Sequence, residues 1–245
     1  MSWLIGPMLG RMTPLLDVSS GQEFPNDWKY ELEALQDIGA DCLEWLVTDL
    51  DNNPIYTKDL TGYPIHSVNL HSLVEQQPKV EQLKKICYYA TRQNILTLVC
   101  PMMGASRIDS RNWADIYRKL SAEYPNICFS FETELTASEI MDDLNSCEKF
   151  YVTYDTGNTT CYGFDHVTEI RLLRNKINNV HLKDKKKDLE DSVRPFTGDT
   201  DFELIFNQLR EINYQGRLVL ETFRGVAGHE KQTLLQYIKE FRCLI

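Results

Sequence analysis

Short apolar runs rich in β-branched and aromatic residues recur along the chain, separated by amphipathic stretches. They are Trp3 to Met8, Cys42 to Leu46, Pro64 to Asn69, Ile95 to Val99, Ile127 to Phe131, Phe150 to Tyr154, Ile177 with Asn179 to His181, and Arg217 to Glu221. Runs of this length and composition read as strands covered on both faces, the mark of a parallel sheet. Between them, Val80 to Gln93, Trp113 to Ala122, Phe202 to Ile212 and Thr233 to Phe241 space their apolar residues three and four apart and predict helices. Pro78 falls in the first turn of one helix, and Ala137-Ser138-Glu139 sits where another should begin. Eight such units in 245 residues predict an α/β fold closed into a (βα)8 TIM barrel, a single domain over residues 1–245. The first strand is not followed by a dinucleotide fingerprint, because Gly6-Pro7-Met8-Leu9-Gly10-Arg11 lacks the G-x-G-x-x-G spacing.

A barrel of this kind does its chemistry at the C-terminal ends of its strands, so the residues there are the ones to question. Glu44 lies near the end of the second strand, and Glu132, Asp155, His181 and Glu221 end the fifth to the eighth. Three carboxylates and an imidazole on one rim are costly to bury without a compensating cation. One divalent metal ion, Mn, Zn, Co or Mg, supplies it, and an O3N donor set does not choose among these. An acidic residue just after a strand also commonly caps the following helix, so it is the joint placement on four successive strands that carries the metal reading.

Composition narrows the partners. A formal charge of −10 opposes binding to a nucleic acid, while a small anion remains accessible to a local basic cluster. Seven cysteines with no C-x-x-C pair read as free thiols in a reducing cytoplasm. The apolar start, Met1 to Leu9, carries no basic leader and reads as a buried strand, and no apolar stretch is long enough to span a bilayer. A cytoplasmic protein is expected, with no membrane partner.

Asp155-Thr156-Gly157-Asn158, Gly163-Phe164-Asp165, Val180-His181-Leu182-Lys183-Asp184, Thr197-Gly198-Asp199-Thr200-Asp201-Phe202 and Leu220-Glu221-Thr222 together resemble the sugar phosphate isomerase/epimerase family of xylose-isomerase-like barrels. With Gly10-Arg11-Met12-Thr13-Pro14 and Cys42-Leu43-Glu44-Trp45 upstream, the likeness is strongest to the ketopentulose 5-phosphate 3-epimerase and hexulose-phosphate isomerase branch. The resemblance implies a metal held by Glu132, Asp155, His181 and Glu221, with Glu132 and Glu221 doubling as acid and base in an epimerisation through an enediolate. Glu44, Asn69 and Asn158 are candidate substrate contacts, and Arg11, Arg107, Lys183, Arg194 and Arg224, all just beyond strand ends or in the loops they feed, are candidate phosphate contacts, arginine being suited by its planar fork. Asn158 stands where free-sugar members usually have histidine, which favours the phosphorylated substrate. The third strand, Ile65 to His71, lacks the usual polar pattern.

Lys183 to Asp188 interleaves acids with bases and reads as a solvated loop, Lys183 excepted. Trp45, Trp113 and Tyr162 could each stack on a sugar face, Trp45 the foremost of them, although aromatic residues near strand ends are more often core. The competing readings are a metal-dependent dehydratase of a cyclic polyol (inosose type), a free-ketose epimerase, and a non-catalytic sugar-binding barrel; an abasic-site endonuclease of the same superfamily is disfavoured by five histidines and the acidic charge. Short loops at Leu46 to Pro64 and Glu221 to Gly228 suggest a more open pocket, or one completed in a homodimer.

Overall fold

The structure is a computed structural model that describes residues 3–15, 22–74, 77–103, 112–187 and 191–245. Eight parallel strands form one sheet: β1 (Leu4–Pro7), β2 (Leu43–Leu46), β3 (Ile65–Asn69), β4 (Thr97–Met102), β5 (Cys128–Thr133), β6 (Phe150–Asp155), β7 (Ile177–Leu182) and β10 (Arg217–Leu220). The sheet order β1-β10-β7-β6-β5-β4-β3-β2 leaves β1 and β2 at its edges. A parallel bridge between Met8 and Glu44 joins those edges and closes the barrel. Gly6 is what lets them meet: a Cβ there would lie 1.7 Å from the Cys42 carbonyl oxygen. All eight predicted strands are present.

The helices on the outside are α1 (Trp28–Glu33), α2 (Val80–Arg92), α3 (Asn112–Glu123), α4 (Ala137–Asn145), α5 (Thr156–Cys161), α6 (His166–Leu173), α7 (Phe202–Glu211) and α8 (Glu230–Arg242). The outward side chains of the strands meet them in aromatic clusters. Trp113 and Tyr117 of α3 pack on Phe131 with ring centroids 4.6 and 5.1 Å away, and Phe202 of α7 lies 4.9 Å from Phe241 of α8. Each such ring contributes a few kcal/mol by burial, about 3–5 kcal/mol for a Phe-to-Ala truncation. Trp45 belongs to this layer: it is fully buried, packs against Phe24 and Trp28, and donates its indole N–H to Asn53 at 2.9 Å. Of the two readings of Trp45, the core one therefore holds and the sugar-stacking one does not.

Two connections differ from the pattern read in the sequence. Between β2 and β3 the described helix is a single 3-10 turn, Pro54–Tyr56. After β7, the stretch expected to be solvated folds into a small antiparallel hairpin, β8 (Asp184–Lys185) with β9 (Ser192–Val193). Asp184 is completely buried there and accepts backbone N–H bonds from Thr197, Gly198 and Thr200 at 3.1, 2.9 and 3.2 Å. Three donors to one carboxylate outweigh its desolvation.

Candidate metal centre

Side chains alternate along a strand, so register decides which of them share the barrel interior. Asp155 pairs with His181 across β6 and β7, and His181 pairs with Val219 across β7 and β10, which places Glu221 one step above on the same inward face. Glu132 reaches the same level from β5. Glu132, Asp155, His181 and Glu221 are all buried, and each offers a ligand atom within 4.8 Å of the others. His181 Nδ1 lies 2.9 Å from Glu221 Oε2 and 3.5 Å from Glu132 Oε2.

The motif around Asp155 shows how the sequence builds this corner. Asp155 Oδ1 caps α5 by accepting the Asn158 N–H at 2.7 Å, leaving Oδ2 for the cluster. Oδ1 thus serves as the helix cap, and Oδ2 is the oxygen that lies against Lys183 in the cluster. Thr156 Oγ1 bonds the Lys183 carbonyl at 2.7 Å, and a Cβ on Gly157 would press to 2.9 Å from Lys183 Cγ. Asn158 donates to Glu132 Oε1 at 3.1 Å. Each letter of Asp-Thr-Gly-Asn therefore holds either a cluster member or its neighbour.

Do these residues fit a cation? His181 Nδ1, Glu221 Oε2 and Asp155 Oδ2 are buried polar atoms with no well-aligned hydrogen bond, and their near neighbours are cluster members or Lys183: Nδ1 lies 2.9 Å from Glu221 Oε2 and Oδ2 lies 2.9 Å from Lys183 Nζ. Without an added cation, the charge is balanced from within. Lys183 Nζ lies 2.9 Å from Asp155 Oδ2 and 2.8 Å from Glu221 Oε1, and its pKa is raised by those carboxylates. Burial pushes the Glu132 carboxyl up to about 8, repulsion by Glu221 and Asp155 adding to it. Burial works against a charge on His181, but Glu44 and Glu132 outweigh it and hold the imidazole pKa well above its usual range. Glu221 is held well below the carboxylate range by Lys183 and His181 despite its burial. A carboxyl that must take up a proton signals unmet positive charge. One divalent cation among three oxygens and one nitrogen meets it.

The other candidates divide by position. Arg11 lies 3.7 Å from Glu221 Oε1 and donates to the Thr222 carbonyl at 3.0 Å. Arg224 bonds the carbonyl oxygens of Gly10 and Thr13, and its Nε and Nη2 are buried without a hydrogen-bond partner. Arg11, Lys183, Lys185 and Arg224 line one cavity of about 450 Å³ that opens onto Glu221. Arg194 does not line it: the hairpin carries it outward to Glu240 on α8, 2.8 Å away, which removes it from the phosphate candidates. Arg107 lies outside the described residues. Asn69 and Glu44 sit deeper, where Asn69 donates to Glu44 at 3.1 Å. The sequence reading missed Gln22, which donates to Glu221 Oε1 at 2.9 Å from the long connection after β1. No periodicity or motif marks it.

The family described as xylose isomerase-like TIM barrel matches residues 26–242. An inosose dehydratase of Clostridium tetani (strain Massachusetts / E88) is 35% identical over 88 residues, 29% of this chain and 30% of that protein. The chain therefore matches about a third of the length of that curated relative. Among solved structures, the D-allulose 3-epimerase of a Methylomonas species in complex with D-allulose superposes with a TM-score of 0.74 at 13% identity, covering 99% of this chain and 97% of that one. The IOLI protein, solved with a bound zinc atom, superposes with a TM-score of 0.72 at 15% identity, covering 97% of each. Among the described residues, no helix is long and apolar enough to cross a membrane.

Proposed function

The chain belongs to the xylose isomerase-like TIM barrel family, and from that premise we propose that it is a divalent-metal-dependent isomerase that 3-epimerises a ketose phosphate. The observation that carries the reading is the pair of buried glutamates in one cluster, each with one oxygen anchored and one turned toward the cluster. Glu221 has Oε1 held by Lys183 and Gln22 and Oε2 facing His181 Nδ1 at 2.9 Å. Glu132 has Oε1 held by Asn158 and Oε2 facing His181. One glutamate takes the proton from the carbon beside the carbonyl, and the other returns a proton to the opposite face, so the configuration inverts. Each turnover leaves the two carboxyl groups with exchanged protonation, which solvent resets.

A divalent ion held by Glu132, Asp155, His181 and Glu221 would polarise the carbonyl and acidify that C–H bond, and zinc is the first candidate by likeness to the IOLI protein. Lys183 and Arg11 offset negative charge developing on the substrate oxygens. Arg224 and Lys185, farther along the cavity, suit a phosphate, against a molecule of net charge −10. A second reading, dehydration of a cyclic polyol, is favoured by the likeness to inosose dehydratase over a third of that chain. The same base serves, but the second carboxyl group then protonates a departing hydroxyl.

The test is deuterium incorporation from D2O into ketose 5- and 6-phosphates, free ketoses and inososes, with zinc or manganese supplied. Deuterium at carbon 3 of a ketose phosphate, with its epimer as product, is expected; a product lighter by one water from an inosose would establish the dehydratase, and no exchange with any substrate would refute both. Glu221→Gln should lower turnover by about 10²–10⁴-fold while the circular dichroism spectrum is kept.

A further inference from the structure

Glu44 lies in the barrel one layer below the cluster, completely buried. Its Oε1 accepts from Asn69 Nδ2 at 3.1 Å and from His181 Nε2 at 2.8 Å. Its Oε2 accepts from Ser67 Oγ at 2.7 Å and from Asn179 Nδ2 at 2.9 Å. An ionised carboxylate offers about four acceptor sites, and here four donors from β3 and β7 fill them. No lone pair remains for a sugar hydroxyl or for a metal. Glu44 is thus unfit for the substrate contact that its place near a strand end suggested. What it does touch is the one imidazole of the cluster, on the ring nitrogen that faces away from Glu132 and Glu221.

The acceptor-only character of an ionised carboxylate decides the proton on that ring. His181 Nε2 must be the donor to Glu44, so the nitrogen left to ligate is Nδ1, the atom that faces the cluster and lies 2.9 Å from Glu221 Oε2. Ser67, Asn69 and Asn179 fix Glu44 in turn, so the ring orientation is set by three strands at once. We propose that Glu44 is a positioning residue that locks His181 in its Nε2–H form and aims Nδ1 at a metal ion. This rests on the metal reading of the cluster given above. A carboxylate behind a metal-bound imidazole holds the ring in place and raises its basicity as a ligand.

The experiment compares zinc uptake by the full-length wild-type protein and Glu44→Gln, by competition with a chromophoric chelator. The His181 tautomer is read in both from long-range ¹H–¹⁵N correlations of the imidazole. Wild type should bind zinc, and E44Q should bind it about 10–100-fold more weakly. The zinc-loaded wild type should show His181 ligated through Nδ1 with a proton on Nε2. Equal zinc affinity in wild type and variant would overturn the positioning role. So would ligation through Nε2, an outcome read from the wild type alone even if E44Q does not fold. A wild-type protein that takes up no zinc, manganese or cobalt would instead overturn the metal reading beneath it.

Discussion

Lys183 offers the sharpest perturbation of the cluster, because it and a metal ion supply positive charge to the same carboxylates. Its ammonium lies 2.9 and 2.8 Å from Asp155 and Glu221, and all three side chains are buried. Lys183→Met keeps most of the volume and removes the charge. Breaking a buried ion pair from one side costs about 3–5 kcal/mol, since the partner is left uncompensated. For a chain of this size each kcal/mol is worth about 2–4 °C, so the metal-free variant should melt about 6–20 °C below the wild type. Zinc should then narrow the gap. In the variant no ammonium competes for Asp155 and Glu221, so the ion binds more tightly and stabilises by a larger RT ln(1 + [L]/Kd). The assay is thermal denaturation followed by circular dichroism at pH 7, with chelator and with a series of zinc concentrations. A metal-free variant melting within about 2 °C of wild type, or an equal zinc-induced rise in both, would refute the reasoning.

Two further outcomes follow from the protonation states. Burial lowers His166 to about 4, where it lies between the Tyr154 hydroxyl at 2.6 Å and Thr160 Oγ1 at 2.9 Å. A depressed histidine contributes stability that is fully present above the unfolded value of about 6.5 and lost as pH falls toward 4, so wild type should lose up to about 3 kcal/mol relative to His166→Gln between pH 7 and pH 4. A urea-unfolding difference that stays flat over that range would contradict it. At the cluster, His181 is held protonated and Glu132 is pushed up to about 8, so zinc binding at pH 7 should release about two protons. Calorimetric titration in buffers of different ionisation enthalpy measures the number, and a release below one proton would show that the cluster is not charged in this way.

The strands were legible because a barrel stave is covered on both sides, and that coverage writes itself into Phe129, Phe131, Phe150 and Val152 as an apolar run. The long helices were legible from their 3.6-residue spacing. What escaped was structure too short for any period to express. Trp28–Glu33 is 6 residues, capped by Asp27, and β8 and β9 have 2 residues each. The hairpin exists because Asp184 collects three backbone donors from residues 197 to 200, a relation across the sequence that local patterning does not contain. The same blindness misplaced Arg194. In sequence it follows a strand end, but the hairpin turns it away from the cavity.

The candidate site was legible for a related reason, and so was its error. Three inward-facing acids and a histidine at four successive strand ends cannot be explained by packing, so their types alone point to Glu132, Asp155, His181 and Glu221. Glu44 is an acid in the same kind of position, and nothing in its own neighbourhood of sequence separates it from the others. The separation comes from partners on other strands: four neutral or imidazole donors around Glu44, against the cations Lys183 and Arg11 and the other ligand-type side chains around Glu221.

Charge bookkeeping then ties the two sets together. Glu44, Glu132, Asp155 and Glu221 bring four negative charges, against Arg11 and Lys183 with two positive ones. Without an ion, neutrality is reached by a proton on His181 and another on Glu132, in line with the raised pKa of each. A divalent cation replaces those two protons, leaving neutral His181 and ionised Glu132. The interior is close to neutral either way, which is how a barrel can carry this much acid in its core and still fold before any ion arrives. Only with the ion in place is the imidazole a ligand, and one of the two glutamates must then regain a proton from solvent before it can act as the acid.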